Sequence, residues 1–218
     1  MKIHLIILYL LALLAPVGLL SSCSESDNEE EEFPNWKKTN EQYFNNLYAM
    51  AKSSADMGDK SWKVIRKWSL EESTAKDPYD YIVVNVLENG TGSGCPLYTD
   101  SVKVHYEGRL LPSTSYPDGY VFDKSFTGEF NPATALPAKF AVSGMIDGFT
   151  TALQYMHIGD RWKVYIPYQL GYGKTASGSI PAYSTSTLVF DVTLVSYYRA
   201  GVEVPDSKAR PATGWIEE

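Results

Sequence analysis

Val104-His105-Tyr106-Glu107-Gly108, inside the longer run Ser101 to Leu111, is the stretch on which the fold turns. Val102, Val104 and Tyr106 alternate with Lys103, His105 and Glu107, which places apolar and polar side chains on opposite faces of a strand. The same period returns downstream. Trp162, Val164 and Ile166 alternate with Arg161, Lys163 and Tyr165, and Leu188, Phe190, Val192 and Leu194 share one face of the last strand. Tyr81 to Glu88 and Lys139 to Val142 also read as strands, and Ser61 to Leu70 carries a further candidate. Between them Met145, Ile146, Phe149, Ala152, Leu153 and Met156 mark one face of a short helix, stopped at Gly159-Asp160. One amphipathic helix among several half-polar strands implies an α+β fold, an antiparallel sheet with a helix on its buried face.

The connections are informative in their own way. Leu111 to Gly119 and Thr127 to Pro137 are long and rich in proline and turn residues. Asn89-Gly90-Thr91-Gly92-Ser93-Gly94 is glycine-rich, but it lacks the Lys-Ser/Thr pair of a phosphate-binding loop and no helix follows it. A structural role is expected for it. Upstream, Thr39-Asn40-Glu41 reads as a helix start, Tyr43, Phe44, Leu47, Met50 and Ala51 recur at helical spacing, and Gly58 ends the run. The apolar stripe of that helix calls for a cover, either the domain itself or a second copy of the chain.

The N-terminus reads as a targeting segment. Lys2 precedes an apolar run from Ile3 to Leu20, and Leu20-Ser21-Ser22-Cys23 resembles the lipobox of bacterial lipoproteins, in which cleavage before the cysteine leaves it lipidated. A plain secretory signal or an uncleaved anchor is the alternative. Lipidation would anchor the chain to a membrane through Cys23, because each buried methylene adds about 0.8 kcal/mol. Ser24 in place of an acid at the next position points to the outer membrane, facing the periplasm or the cell surface. Glu25, Asp27 and Glu29 to Glu32 read as a solvated tether. The expected organisation is thus a signal peptide over 1–22, an acidic tether over 23–38, a helical extension over 39–75, the main domain over 76–200 and a tail over 201–218.

Composition narrows the function classes. A formal net charge of -7 without a basic stripe excludes a general nucleic-acid binder. With Cys23 lipidated, Cys95 would be the remaining thiol, so no internal disulfide is expected. His105 and His157 lie far apart without a Cys/His cluster, which gives no metal site, and no cofactor motif is present. Sixteen Tyr and five Trp in 218 residues fit an aromatic cleft and equally a glycan-binding surface.

Taken in order, Val104 to Gly108, Val121-Phe122-Asp123-Lys124-Ser125, Leu170-Gly171-Tyr172-Gly173 and Thr187 to Val192 resemble the FKBP-type peptidyl-prolyl cis/trans isomerases. The resemblance runs from about Tyr81 to Tyr198. It implies a sheet wrapped around one short helix, with a proline pocket between them. It also implies roles for individual positions. Tyr106 matches the pocket-wall tyrosine, Phe122 and Asp123 the Phe-Asp pair, and Tyr172 the tyrosine whose hydroxyl binds a substrate carbonyl. Met145 and Ile146 match the pair that opens the helix, and Phe149 stands where most members have a floor tryptophan. Ile180 and Phe190 match the remaining apolar wall, and Ala138 replaces a second pocket phenylalanine.

The implied reaction needs no nucleophile, since no covalent bond breaks. Rotation about the amide meets a barrier of about 18–20 kcal/mol because resonance is lost. A dry aromatic cleft favours the twisted, less polar amide over the planar one. Proline-containing polypeptides are the implied clients, in the folding of exported proteins. By family analogy immunosuppressant macrolides would bind the same pocket. Two other functions stay open on the sequence: a peptide-binding or chaperone module with little or no turnover, and a glycan-binding surface lipoprotein.

Overall fold

The computed structural model describes residues 32–174 and 184–199, together with the backbone of 215–216. Cys23 and Ile180 lie outside the described residues. In chain order the elements are α1 (Trp36–Asp56), β1 (Trp62–Arg66), β2 (Tyr81–Glu88), β3 (Ser101–Arg109), β4 (Val121–Lys124) and β5 (Ala138–Ala141). There follow α2 (Asp147–Leu153), β6 (Arg161–Ile166), β7 (Leu188–Tyr198) and the short β8 (Trp215–Ile216). The strands form one antiparallel sheet in the order β1-β2-β6-β7-β3-β4, with β5 on β3 and β8 on β7. This is the α+β architecture that the strand alternation implies.

The period-2 pattern sets the inner face. Val102, Val104 and Tyr106 of β3, Trp162, Val164 and Ile166 of β6, and Leu188, Phe190, Val192 and Leu194 of β7 are all buried. They pack on Phe149, Ala152 and Leu153 of α2 and on Met156 and Ile158 just beyond it. Burying an aliphatic or aromatic side chain of this size contributes about 1.5–3 kcal/mol, so this layer is the main source of stability.

A second apolar cluster lies on the outer face. Phe44 and Ala51 of α1 are buried against Val83, with Leu47, Tyr48, Trp62, Val64, Tyr79 and Tyr165 around them. Phe44, Leu47 and Ala51 of the α1 stripe are therefore covered by its own sheet, whereas Tyr43 and Met50 stay exposed. β1 pairs with β2 from Trp62↔Asn85 to Arg66↔Tyr81, so the sheet begins well ahead of Tyr81.

Two boundaries differ from the sequence reading, each for a physical reason. α1 starts at Trp36, with Asn35 at its N-cap in the left-handed region (φ 51), rather than at Thr39–Glu41. The Asn40 amide does not cap; it is buried, its Nδ2 donating to the Trp36 carbonyl one turn back and its Oδ1 accepting from the distant Thr187 N–H. Likewise α2 is only seven residues long, because Ile146 keeps an extended ψ of 149 and serves as N-cap. Met145 and Met156 sit outside the helix, although Met156 is buried as the apolar spacing implied.

Candidate active site

Four elements converge at one end of the inner face. β3 supplies Tyr106, β4 supplies Phe122 and Asp123, β7 supplies Phe190, and α2 supplies Phe149. The rings are in contact at a range of angles. Phe122 and Phe190 stand edge to face at 5.4 Å and 90°, Phe149 and Phe190 at 5.0 Å and 67°, and Tyr106 and Phe149 at 6.2 Å and 72°. Such T-shaped pairs place positive ring edges on negative ring faces.

The antiparallel register opposes Gly108 to Asp123, and Gly108 also faces Phe190 on β7. A Cβ at Gly108 would stand 2.6 Å from Phe122 Cζ and 2.7 Å from Phe190 Cε1. The glycine is what lets those two rings meet over the strand.

One hydrogen bond joins the acid to the aromatic wall: the Tyr106 hydroxyl donates to Asp123 Oδ2 at 2.7 Å. Asp123 is exposed, whereas Tyr106 is 8% exposed, so a buried phenol holds a carboxylate that faces solvent. Burial first, and then the hydrogen bond to Asp123, push the Tyr106 hydroxyl well above the ordinary phenol range. It therefore remains a donor at every physiological pH.

Tyr172 borders the cluster with its ring 6.3 Å from Phe122 at 78°, and it is 43% exposed. It lies between Gly171 and Gly173, the latter at φ 73, directly after the short turn Tyr168–Leu170. Met145 and Ile146 pack against the core beside these rings. At the N-cap, the Ile146 N–H lies outside the intrahelical ladder of α2.

The structure thus brings together Tyr106, Phe122, Asp123, Phe149, Phe190 and Tyr172, with Met145 and Ile146 alongside. It adds a residue that sequence reading passed over. Phe140 of β5 meets Tyr106 at 5.6 Å and 61°, while Ala138, two positions earlier, leaves its own place small. The signal for Phe140 was present in the alternation of Ala138 and Phe140 along one strand face.

His105 points the other way. It is 8% exposed, its ring meets Phe130 at 5.1 Å, and its Nδ1 has no hydrogen-bond partner among the described residues. On that outer face lies a cavity of about 280 Å³ lined by His105, Glu107, Phe126, Phe130, Arg161 and Asp191. Its charges are answered internally: Arg161 forks onto Asp191 at 3.0 and 2.9 Å, and Arg109 bonds Glu107 at 2.7 Å. Tyr106 of the aromatic cluster also borders it.

Burial lowers the His105 pKa, so the imidazole stays neutral where a free one would charge. The unfolded chain binds that proton near about pH 6.5, and the folded chain binds it only at lower pH. Across that window the unfolded state holds more protons, and stability falls as pH drops. The urea midpoint is expected to fall between about pH 7.5 and 5.5, and His105→Gln should flatten that fall. An equally steep fall in His105→Gln assigns the effect to another group.

Cys95 lies 3.7 Å from His157 Nε2, and burial, then Asp160, raises its pKa. It is held as a thiol rather than activated as a thiolate.

Residues 95–195 match the family model of the FKBP-type peptidyl-prolyl cis-trans isomerases. These residues belong to that family. The chain is 39% identical over 131 residues to the FKBP-type 22 kDa peptidyl-prolyl cis-trans isomerase of Escherichia coli K12, covering 58% of this chain and 56% of that one. It is 40% identical over 121 residues to the macrophage infectivity potentiator of Trypanosoma cruzi, covering 55% of each. The outer membrane protein MIP of Legionella longbeachae is 33% identical over 157 residues, covering 69% of this chain and 61% of its own. The chain spans about half the length of the first two of these relatives. Among solved structures, the peptidyl-prolyl cis-trans isomerase of Pseudomonas syringae pv. tomato superposes with a TM-score of 0.51 at 26% identity, covering 75% of this chain and 96% of that one.

Proposed function

We propose that this chain is a peptidyl-prolyl cis/trans isomerase that assists the folding of exported polypeptides from a lipid anchor in the cell envelope. The observation that carries this reading is the convergence of Phe122, Phe140, Phe149 and Phe190 on the Tyr106–Asp123 hydrogen bond, next to the α2 N-cap. A proline ring seated among these aromatics leaves water behind. The amide preceding it then twists in surroundings that disfavour the charge-separated planar form. That is binding matched to the transition state rather than to the ground state.

The chain's own groups divide the remaining work. The Ile146 N–H and the Tyr172 hydroxyl hold the flanking carbonyls, so the rotation is confined to one bond. Asp123, oriented by Tyr106, accepts from donors of the substrate backbone or faces the carbonyl carbon as it turns. Met145, packed against the core, adds to the apolar rim. An acceleration of about ten thousandfold requires only about 5.5 kcal/mol, within reach of orientation and desolvation combined.

For the anchor, the support is Cys23 at the end of the apolar run and the similarity to a relative named as an outer membrane protein. In this reading residues 1–22 are removed, 201–218 form a tail, and the expected 23–38 tether shortens to the residues ahead of Glu32, because Glu32, Phe33 and Trp36 are held on the domain. Incorporation of labelled palmitate, abolished by Cys23→Ser, tests it.

The activity is tested with the full chain in detergent, using protease-coupled isomerisation of short X–Pro peptides. Acceleration over the uncatalysed exchange of tens to hundreds of seconds, inhibited by an immunosuppressant macrolide, is the expected result. Peptide binding without acceleration would convert the reading to a binding module. Glycan retention that survives pocket mutations, with neither of the other two, would convert it to a glycan-binding protein.

A further inference from the structure

Residues 32–40, just behind the acidic run, touch both connections that border the aromatic cluster. Glu32 accepts from the Ser113 hydroxyl and from the Ser115 N–H at 2.9 Å, in the connection between β3 and β4. Phe33 and Trp36 stand edge to face at 4.8 Å and pack on the same core cluster as Tyr120 and Phe122. Trp36 Nε1 donates to Ser186 Oγ at 2.7 Å. Asn40 Oδ1 accepts from the Thr187 N–H at 2.7 Å, while its Nδ2 donates to the Trp36 carbonyl at 2.8 Å. Asn40, Ser186 and Thr187 are all at most 1% exposed.

These contacts continue to Tyr172 through few steps. Thr185, next to Ser186, holds a left-handed φ of 59, and its N–H donates to the Gly173 carbonyl at 2.9 Å. Gly173 in turn donates to the Tyr168 carbonyl at 2.8 Å, and the Tyr168 hydroxyl donates to Glu41 of α1 at 3.1 Å. Tyr172 has only glycine on either side, so its own segment resists displacement weakly. One constraint on it is the Thr185–Gly173 hydrogen bond, and Thr185 is followed by Ser186 and Thr187, which α1 holds.

We infer that Trp36 and Asn40 are positioning residues for Tyr172, making the first turn of α1 a strap that sets the rim of the candidate pocket. This rests on the isomerase reading for its consequence in turnover, though not for the placement itself. Tyr172 holds a flanking carbonyl in ground and transition states alike. Loosening it therefore weakens substrate binding and leaves the rate of the bound complex nearly unchanged.

The test uses the full chain and four variants. Trp36→Phe keeps the ring and removes the donor, Asn40→Leu removes both amide functions, and Asn40→Asp keeps the acceptor for Thr187. Phe44→Leu, at the buried centre of α1, weakens helix packing without touching the strap. Amide hydrogen exchange at Gly173 and Thr185 is read beside KM and kcat on an X–Pro peptide.

Trp36→Phe and Asn40→Leu are expected to speed exchange at Thr185 about tenfold and to raise KM severalfold with kcat within about twofold. Asn40→Asp should return both toward native values, and Phe44→Leu should lower Tm without moving either. Native exchange at Thr185 in both disrupting variants overturns the inference, as does an equal change in Phe44→Leu. So does faster exchange with KM unmoved in an active enzyme. If the native chain shows no turnover, the isomerase reading fails on its own, and exchange at Thr185 alone decides the strap.

Discussion

Asp123→Ala is expected to lower kcat/KM for X–Pro peptides by about ten- to a hundredfold, the range that loss of a charge-assisted contact of about 1.5–3 kcal/mol implies. The carboxylate is exposed on a strand edge, yet its Oδ2 is held at 2.7 Å by a phenol that is itself 92% buried and kept protonated by that burial. A group held in this way does not need to be reoriented as the amide turns, which is where preorganisation lowers a barrier. Tyr106→Phe separates the two roles of the tyrosine. It keeps the ring packed on Phe140 and Phe149 and frees Asp123 to rotate. Its loss should be smaller, about tenfold or less, and should fall on kcat more than on KM. Native kcat/KM in Asp123→Ala, measured on protein whose melting point shows it folded, would remove the acid from the mechanism.

The strands were legible because their two faces meet different surroundings. In β6, Trp162, Val164 and Ile166 face α2 and the inner core, and Arg161 and Lys163 face outward, so the alternation is unambiguous. Tyr165 fits that pattern less simply: it faces outward but packs on Trp62 and Tyr43 beneath α1. The extents of the helices were harder to read. Nothing in Thr39-Asn40-Glu41 tells that the asparagine Oδ1 is taken by the Thr187 N–H, some 147 residues away, rather than by an N–H of a first turn. A buried tertiary partner outweighs a local capping preference.

The grouping of the site was legible only through the order of segments. Phe122 and Asp123 on their own are an apolar residue and a turn acid, and Tyr106 reads as core. What unites them is the β3–β4 register together with an unsubstituted Gly108, a matter of pairing that no single segment encodes. Phe140 was not legible because a four-residue strand with Ala at both ends offers too short an alternation to mark its one large apolar residue as part of a site. The long connections hid their purpose too. Ser113 and Ser115 look like ordinary turn residues until Glu32 is found between them.

Gly90→Ala is expected to be strongly destabilising, costing on the order of 3–5 kcal/mol from overpacking and a lost buried hydrogen bond. The glycine-rich run, for which a structural role was expected, lies against the turn His157–Asp160. A Cβ at Gly90 would sit 2.1 Å from the Ile158 carbonyl oxygen and 2.5 Å from the Asp160 nitrogen, and backbone atoms cannot swing aside as a side-chain tip can. The Gly90 N–H also donates to Asp160 Oδ1 at 2.7 Å, while Oδ2 of the same buried acid takes the His157 N–H at 2.8 Å. Displacing the loop therefore strips a carboxylate that is only 4% exposed. The damage would spread, because Gly159 and Asp160 exchange hydrogen bonds with Leu194 of β7 at 2.8 and 3.1 Å just before β6 begins. For a domain of this size the expected fall in Tm is about 10 °C. Two other glycines calibrate it. Gly144→Ala meets nothing within 4 Å and has no left-handed φ, so its Tm should stay within about 2 °C of native. Gly128→Ala has equal space but a φ of 70 and should lose about 1 kcal/mol to backbone strain alone. If Gly90→Ala melts with Gly128→Ala rather than far below it, the loop does not clamp the turn, and its glycines must be explained by something other than close approach.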